Sequence, residues 1–448
     1  MRLFYTIGIW FYTLGVRVAA LFGHSNARLM VQGWSSWREA LARLDGRPVV
    51  WFHAASLGEF EQARPVLERY VELHPGHQVL LTFFSPSGYE VRKNYPKSQE
   101  VCYLPPDLPR IVQAFTAGVA DLRAVFFVKY DFWFNYLGAL RQRGVPTYLF
   151  SAIFRPDQYF FRWYGGWFRR QLATCYTHIF VQNEESLRLL KGNGVERCSL
   201  AGDTRFDRVH QIAQSSAGDE IVEQFLSGQQ GKVLVCGSTW PPDEEQIAEV
   251  ITTPLSPRRG VGGEARIILA PHIISEEHLR QIERLFPDSI RYSVAASRVT
   301  ECLGDCVTEW SSNQDTHQPG NPATQSPSHP ATPKVLIIDN IGRLSKLYRY
   351  ADVAYIGGGF GAGIHNTLEA VAYGKPVLFG PNYHKFQEAR DLIARGAGWS
   401  HTDAATLRSN LERLLASPEA YASASKACLD YMNENLGSTD KIIGEIKK

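Results

Sequence analysis

The sequence predicts an α/β protein made of two halves, each an open parallel sheet of Rossmann-like type. Three observations predict it. Short β-prone apolar runs recur along the chain, with helix-sized amphipathic intervals between them. The alternation stops once, over a polar stretch near the middle, and then resumes. The length of 448 residues suits two or three domains at about 150 residues each.

The first strand is Val49–His53 (VVWFH), short and β-prone. Glu59–Glu72 reads as the helix after it, with Phe60, Ala63, Val66, Leu67 and Tyr70 on one face. Val79–Phe83, Val125–Val128, Thr147–Ser151 and His178–Gln182 follow as strands, spaced to leave room for helices. Val209–Gly231 is polar and predicts an interdomain helix and linker. Strands return at Lys232–Gly237, Ala265–Ala270, Val335–Ile338, Val353–Ile356 and Pro376–Phe379. Strands alternating with helices build parallel βαβ units. The domains expected are 25–210 and 232–427, with a linker at 211–231 and a C-terminal helix at 428–448. Ligands of such sheets bind beyond the C-terminal strand ends, so the expected site is the cleft between the halves.

Hydrophobic residues make up 44% of the chain and charged residues 21%, as in an ordinary globular protein. A net charge of +2 supplies no global field for nucleic acid. The seven cysteines are odd in number and scattered, the usage of free thiols in a reducing compartment. Cys302 and Cys306 are the closest pair, and no further ligands stand near them at metal-site spacing. Ser311–Pro333 (SSNQDTHQPGNPATQSPSHPATP) is too polar to offset chain entropy and predicts a disordered insert. Pro254–Glu264 predicts a shorter loop of the same kind.

The N-terminus opens with an uncharged apolar run, Leu3–Val16, which Arg17 interrupts and Val18–Phe22 resumes. A span needs roughly 20 apolar residues, reached here only if Arg17 snorkels to the interface. Tyr5, Trp10, Tyr12, Trp34 and Trp37 suit headgroup depth. Residues 1–24 therefore read as a membrane anchor or as a helix lying in the interface. A buried N-terminal helix is the alternative. Tyr159–Arg170 (YFFRWYGGWFRR) suits a membrane surface and equally an aromatic helix in the core.

Two segments carry chemistry. Gly357–Glu369 (GGGFGAGIHNTLE) leaves a strand and opens a helix through Ala370–Tyr373. Its glycines let backbone approach a ligand, and the helix start offers N–H groups to a phosphate. Glu369 can accept from ribose hydroxyls. Gly374–Pro381 (GKPVLFGP) adds a helix C-cap, a strand and a Gly-Pro turn, so Gly357–Pro381 is the expected nucleotide segment. A dinucleotide-binding turn remains an alternative, but no acidic residue stands about 20 positions on, at the end of a second strand. His53–Glu59 (HAASLGE) also runs from a strand into a helix. Ser56 can cap that helix, and Glu59 is either a general base or a carboxylate matched to the helix dipole. Asn183-Glu184-Glu185 reads as a surface helix cap.

In this order and separation, the two segments resemble the 3-deoxy-D-manno-octulosonic acid (Kdo) transferases, in a Bacteroidetes-like variant, over nearly the whole chain. The resemblance implies a GT-B fold, two Rossmann-like domains facing a central cleft, with an N-terminal membrane-anchor helix. The family's H-A-x-S-x-G-E is His53–Glu59, which implies Glu59 as catalytic base. Its E-L-W-P-N is Asp131-Phe132-Trp133-Phe134-Asn135, which implies a transition-state role for Asp131 with a shorter side chain. Its G-S-L-K-F-D is Gly202–Asp207, where Arg205 keeps the lysine's charge but not its geometry. The implied nucleotide contacts are Ser238 and Thr239 of an S-T turn, Pro271 and His272 in place of P-R-H, and Ile341, Gly342 and Arg343 in place of M-G-E. His365, Asn366, Thr367, Leu368 and Glu369 complete them as the counterpart of H-N-P-L-E. The arginine of P-R-H is absent, and the charge of M-G-E is reversed.

The resemblance further implies an inverting transfer of Kdo from CMP-Kdo to the lipid A precursor, lipid IVA, at the cytoplasmic face of the inner membrane. Arg205 and the helix start at Ile364–Glu369 would stabilise the departing phosphate and the donor carboxylate. No D-x-D triplet occurs, so no metal and no other cofactor is expected. The expected partners are CMP-Kdo, the lipid A precursor and the membrane surface, with no nucleic acid. The alternatives are a membrane-associated GT-B transferase using a UDP-sugar and a non-catalytic nucleotide-binding module. Other GT-B families commonly place a Gly-rich loop where His53–Glu59 stands.

Overall fold

The computed structural model describes residues 1–215, 217–227, 231–252, 265–305 and 333–447. The expected insert 311–333, but for Pro333, and the loop 254–264 lie outside the described residues, as does Cys306 of the cysteine pair. The chain divides into two compact units, Met1–Arg208 with Asn435–Lys448, and Val209–Glu434. Each holds one seven-stranded sheet.

The first sheet contains β1 (Val49–Ala54), β2 (Gln78–Phe83), β3 (Glu100–Tyr103), β4 (Leu122–Val128), β5 (Thr147–Ala152), β6 (His178–Val181) and β7 (Cys198–Leu200). Their order is β3-β2-β1-β4-β5-β6-β7, with every pairing parallel. Parallel sheets are covered on both faces, so their strands are apolar throughout. Side chains alternate between two cores: Trp51, Phe127 and Leu149 face one, while Phe52, Phe126 and Phe150 face the other. The rings of Phe52 and Phe126 stack at 4.5 Å across neighbouring strands.

The second sheet contains β8 (Val233–Thr239), β9 (Arg266–Pro271), β10 (Ser289–Arg291), β11 (Val335–Ile337), β12 (Val353–Ile356), β13 (Val377–Phe379) and β14 (Gly398–Ser400). Its order is β10-β11-β9-β8-β12-β13-β14, again parallel. In both sheets the first strand sits beside a later one whose connections leave the other way. This creates a switch point at β1/β4 and another at β8/β12, where the loops diverge and leave a crevice.

The structure adds four strands to those legible in the sequence: β3, β7, β10 and β14. All four are sheet edges.

The N-terminal helix Arg2–Leu21 is the one described helix long and apolar enough to cross a membrane. It lies along the first unit. Tyr5, Thr6, Ile9, Thr13 and Val16 form a helical stripe that is buried or half-buried. Phe4, Trp10, Phe11, Leu21 and Phe22 point outward and are exposed. The buried-helix alternative therefore holds for one stripe only. Tyr159–Arg170 is likewise divided: Phe160 is buried, while Trp163 is 94% exposed.

The expected linker 211–231 is no free linker. Helix Thr204–Ser215 carries the chain from one unit into the other, and helix Glu220–Leu226 belongs to the second unit. The expected C-terminal helix 428–448 is two helices, Pro418–Asn435 and Ser438–Ile446, broken where Gly437 turns at φ 88°. The last helix returns to the first unit, where Ile442 and Ile443 complete the core around Phe52 and Phe126. Asp207 holds this return, accepting from the backbone N–H of Gly437 at 2.7 Å and of Thr439 at 2.6 Å. Asp207→Asn, which weakens both acceptors, should cost about 1–3 kcal/mol. The reading is the midpoint of urea unfolding of the first unit.

Candidate active site

In the first unit the β1/β4 crevice gathers three of the sequence-predicted residues. Lys129, just after β4, turns at φ 63°, and β5 holds Ser151 at φ 51°. Left-handed backbone at non-glycine residues costs about 1–3 kcal/mol each and collects at functional sites. Both lie at the C-terminal edge of the sheet, where the loop Tyr130–Trp133 begins.

His53, near the end of β1, is fully buried. Its Nδ1 lies 3.1 Å from the Thr82 carbonyl and 2.8 Å from the Thr82 hydroxyl. The Trp133 indole donates to its Nε2 at 3.2 Å. An indole only donates, so Nε2 carries the lone pair and Nδ1 the proton. Burial pushes His53 down to about 3, and the ring is neutral. Its 3.9 Å approach to Asp131 is therefore not an ion pair.

Asp131 is 5% exposed, and its Oδ2 has no hydrogen-bond partner. Burial, and then the charge of Glu59, push it well above the usual aspartate value. Glu59 is half-buried in the first turn of the helix Leu57–Leu73. The Ser56 hydroxyl caps the helix by accepting from the Glu59 N–H at 3.5 Å, and it donates to the Glu59 carboxylate. Glu59 thus matches the helix dipole and also faces a second acid.

Arg205 stands at the start of helix Thr204–Ser215 and donates to Asp203 at 2.8 Å. Burial pushes Asp203 up, but the charge and hydrogen bonds of Arg205, with a bond from Gln62, hold it below the usual range. Gln62 lies on the same helix as Glu59 and donates to Asp203 at 3.0 Å, while Thr204 donates to the Gln62 carbonyl at 2.7 Å. The helix bearing Glu59 and the start of the helix bearing Arg205 are thereby pinned together. Burial raises the Tyr130 phenol, and the charges of Arg155, Glu59 and Arg205 all reach it. Asn183 caps its helix, accepting from Ser186 N–H at 2.9 Å.

In the second unit the β8/β12 crevice gathers the nucleotide candidates. Ser238 turns at φ 53°. A Cβ on Gly357 would lie 2.3 Å from the Ser238 carbonyl, and one on Gly359 would lie 2.6 Å from the Gly380 backbone. These glycines permit backbone to pass backbone. His365 and His272 stack at 4.5 Å, and Trp240 stacks on His272 at 4.7 Å. Trp240 donates to His365 Nε2 at 3.2 Å, and burial and His272 push His365 down. Pro271 ends β9, and His272 N–H donates to the Thr239 carbonyl at 2.9 Å.

Several candidates have side chains that are buried or already bonded within the protein. Leu368 and Pro271 are buried. The Thr239 hydroxyl is committed to Glu244 at 2.9 Å, which in turn meets His278 at 2.9 Å. Asn366 donates to the half-buried Glu369 at 3.2 Å, and the buried Thr367 hydroxyl has no partner. Ile341 is 91% exposed, and Gly342 turns at φ 90°. Arg343 pairs with Asp219 at 2.8 Å and lies 4.5 Å over the Tyr292 ring. The helix expected through Tyr373 is one turn only, Leu368–Val371, so its dipole is small.

Sequence reasoning missed Asp243. It is wholly buried, and its Oδ2 accepts from both Trp240 N–H at 3.0 Å and Gly358 N–H at 2.9 Å. One carboxylate oxygen thus ties both loops of the crevice. Tyr355 donates to its other oxygen at 2.9 Å. The signal was present in Trp240-Pro241-Pro242-Asp243-Glu244, which reads as an ordinary acidic helix start. Among the described residues, no group of three or more His, Cys, Asp or Glu is placed to hold a metal.

The architecture has relatives. The UDP-GlcNAc 2-epimerase from Neisseria meningitidis superposes with a TM-score of 0.57 at 14% identity, covering 89% of this chain and all (100%) of that one. Two parallel Rossmann-like sheets with loops gathered at their switch points define the GT-B class of fold. Residues 35–208 match the model of the family described as 3-deoxy-D-manno-octulosonic-acid transferase (kdotransferase). The 3-deoxy-D-manno-octulosonic acid transferase of Bordetella pertussis is 28% identical over 89% of this chain and 86% of its own length. That of Aquifex aeolicus (strain VF5) is 25% identical over 84% and 88%. Over most of its length the chain is similar to this family of transferases, and it is a glycosyltransferase.

The environment of Asp131 has a consequence for stability. Its folded pKa is raised, so its contribution is most favourable below the ordinary value of 3.8 and is lost as pH rises toward the folded value. Asp131→Asn removes that penalty. The variant should melt higher than the parent at pH about 8, with the gain vanishing toward pH about 4. Thermal unfolding across that range checks it.

Proposed function

We propose that the protein transfers Kdo from CMP-Kdo to a hydroxyl of lipid IVA in lipopolysaccharide biosynthesis, with inversion at the anomeric carbon. The observation that carries this reading is the pair of acids at the β1/β4 crevice, one half-buried and one buried and pushed toward its protonated form. Enzymes assign acid and base roles by placing two carboxyls in unlike environments.

Glu59 takes the proton from the acceptor hydroxyl as that oxygen attacks the anomeric carbon. The C–O bond to the sugar forms as the bond to the CMP phosphate breaks, and CMP leaves with the electron pair. Asp131 has a buried oxygen without a partner, and positive charge beside it is what it lacks. Its interaction is therefore strongest when the sugar gains oxocarbenium character, which places its contribution in the transition state. Arg205 supplies positive charge for the anionic donor. Asp203 keeps that guanidinium in place.

The nucleotide falls to the second unit. Backbone N–H groups of the turn at 357–369 and the stacked His272 and His365 serve the phosphate, and Glu369 serves the ribose. Ser238, Gly342 and Ile341 contribute backbone. The one-turn helix at Leu368 adds little, and Arg343 acts through its pairing with Asp219. The transfer uses no metal.

The lipid acceptor calls for a membrane surface. The N-terminal helix supports an in-plane attachment at the cytoplasmic face of the inner membrane: one stripe is seated along the first unit, so lipid meets only the other. Trp163 and Tyr164, both exposed, extend that surface.

Incubation with CMP-Kdo and lipid IVA should add one or more Kdo masses to the lipid. Glu59→Gln should lower turnover by about a hundredfold or more while leaving CMP binding, measured by calorimetry, intact. Normal turnover in that variant would place the base elsewhere. Activity should also survive excess EDTA; activity that is lost and then restored only by a divalent ion would refute metal-free transfer.

A further inference from the structure

Asp107 is 1% exposed and lies in the loop after β3. Its Oδ2 accepts from the Tyr5 hydroxyl at 2.6 Å and from Asn135 N–H at 3.1 Å. Its Oδ1 accepts from Tyr136 N–H at 2.9 Å, and its carbonyl accepts from the Asn135 side chain at 2.7 Å. The helix Phe134–Gln142 has no cap from its own Trp133, and Asp107 satisfies two of its free N–H groups instead. Asn135 in turn accepts from Arg2 Nε at 3.1 Å. Residues Arg2 and Tyr5 of the N-terminal helix thus grip the same helix start that follows Asp131.

A second route runs through rings. Tyr12 stacks on Phe84 at 6.1 Å, Phe84 meets Trp133 at 5.0 Å, and Trp133 donates to His53. The segment Tyr130–Trp133 is therefore fixed at both ends, by the left-handed turn at Lys129 and by Asp107 with the N-terminal helix.

We propose that Asp107 is a positioning residue through which the seated N-terminal helix sets the place of Asp131 and Trp133. The helix is then a part of the catalytic unit as well as its hold on lipid. This inference rests on the reading of Glu59 and Asp131 as the reacting pair. A displacement of about 1 Å at reacting groups can cost on the order of a hundredfold in rate, so a small release of this loop is sufficient.

The test uses the full chain in detergent micelles with CMP-Kdo and lipid IVA, so that attachment to a bilayer does not limit the rate. Tyr5→Phe removes one hydrogen bond, and Asp107→Asn weakens the whole set. Both should lower kcat by about tenfold to a hundredfold with the donor KM within about twofold. The double variant should be no worse than Asp107→Asn alone, because the two act through one link. Melting temperature and cosedimentation with phosphatidylglycerol vesicles give the amount folded and the lipid hold. Phe11→Ser, on the exposed stripe, should weaken vesicle binding and leave kcat in micelles unchanged. Should Asp107→Asn fail to fold, Tyr5→Phe carries the test. Wild-type kcat per folded molecule in the Tyr5→Phe and Asp107→Asn variants overturns the coupling and leaves the Kdo-transfer reading standing. A parent protein that transfers no Kdo overturns both.

Discussion

The loops that leave β1 and β4, and those that leave β8 and β12, part company because the chain winds away from each pair in opposite directions. That divergence opens a crevice with backbone ends on both sides, and nothing in the sheet itself holds those ends. Each crevice is fastened across its two sides by a buried polar node. In the first, neutral His53 bridges Thr82 of β2 and Trp133 of the loop after β4. In the second, Asp243 bridges Trp240 after β8 and Gly358 after β12.

The two nodes are unlike in charge, and this sets what surrounds them. His53 is driven neutral by burial, so it cannot compensate Asp131, which is left with a bare oxygen. Asp243 collects two backbone N–H groups and a phenol, and is satisfied. The unsatisfied acid belongs to the crevice where charge develops in the proposed reaction, and the satisfied one to the crevice that only has to hold. A buried carboxyl without a partner is costly, and here the cost falls where chemistry is proposed.

Much of this was legible in the chain. Central strands of a parallel sheet are covered on both faces, so runs such as Val49–His53 and Val353–Ile356 stand out by apolarity alone. The four strands that did not stand out are the four sheet edges, which are short and mostly half-buried, as in Ser289–Arg291. Edges need no apolar run. At the site, Glu59, Asp131 and His365 were legible through motif and position. Asp107 and Asp243 were not, because each acts on backbone N–H groups that only the fold brings to it: Asp107 lies 28 positions from Asn135, and Asp243 lies 115 from Gly358. The helix at Leu368 runs one turn rather than through Tyr373, because the Gly374 turn at φ 67° cuts the helical pattern short.

The return of helix Ser438–Ile446 to the first unit bears on how the protein is made. Ile442 and Ile443 fill the core around Phe52 and Phe126, yet they follow the whole second unit in the chain. The first unit cannot close its own interior until the whole second unit has been synthesised. During that interval its apolar face stays open. Synthesis of the returning helix, rather than of Met1–Arg208, is the event that seals the half carrying Glu59.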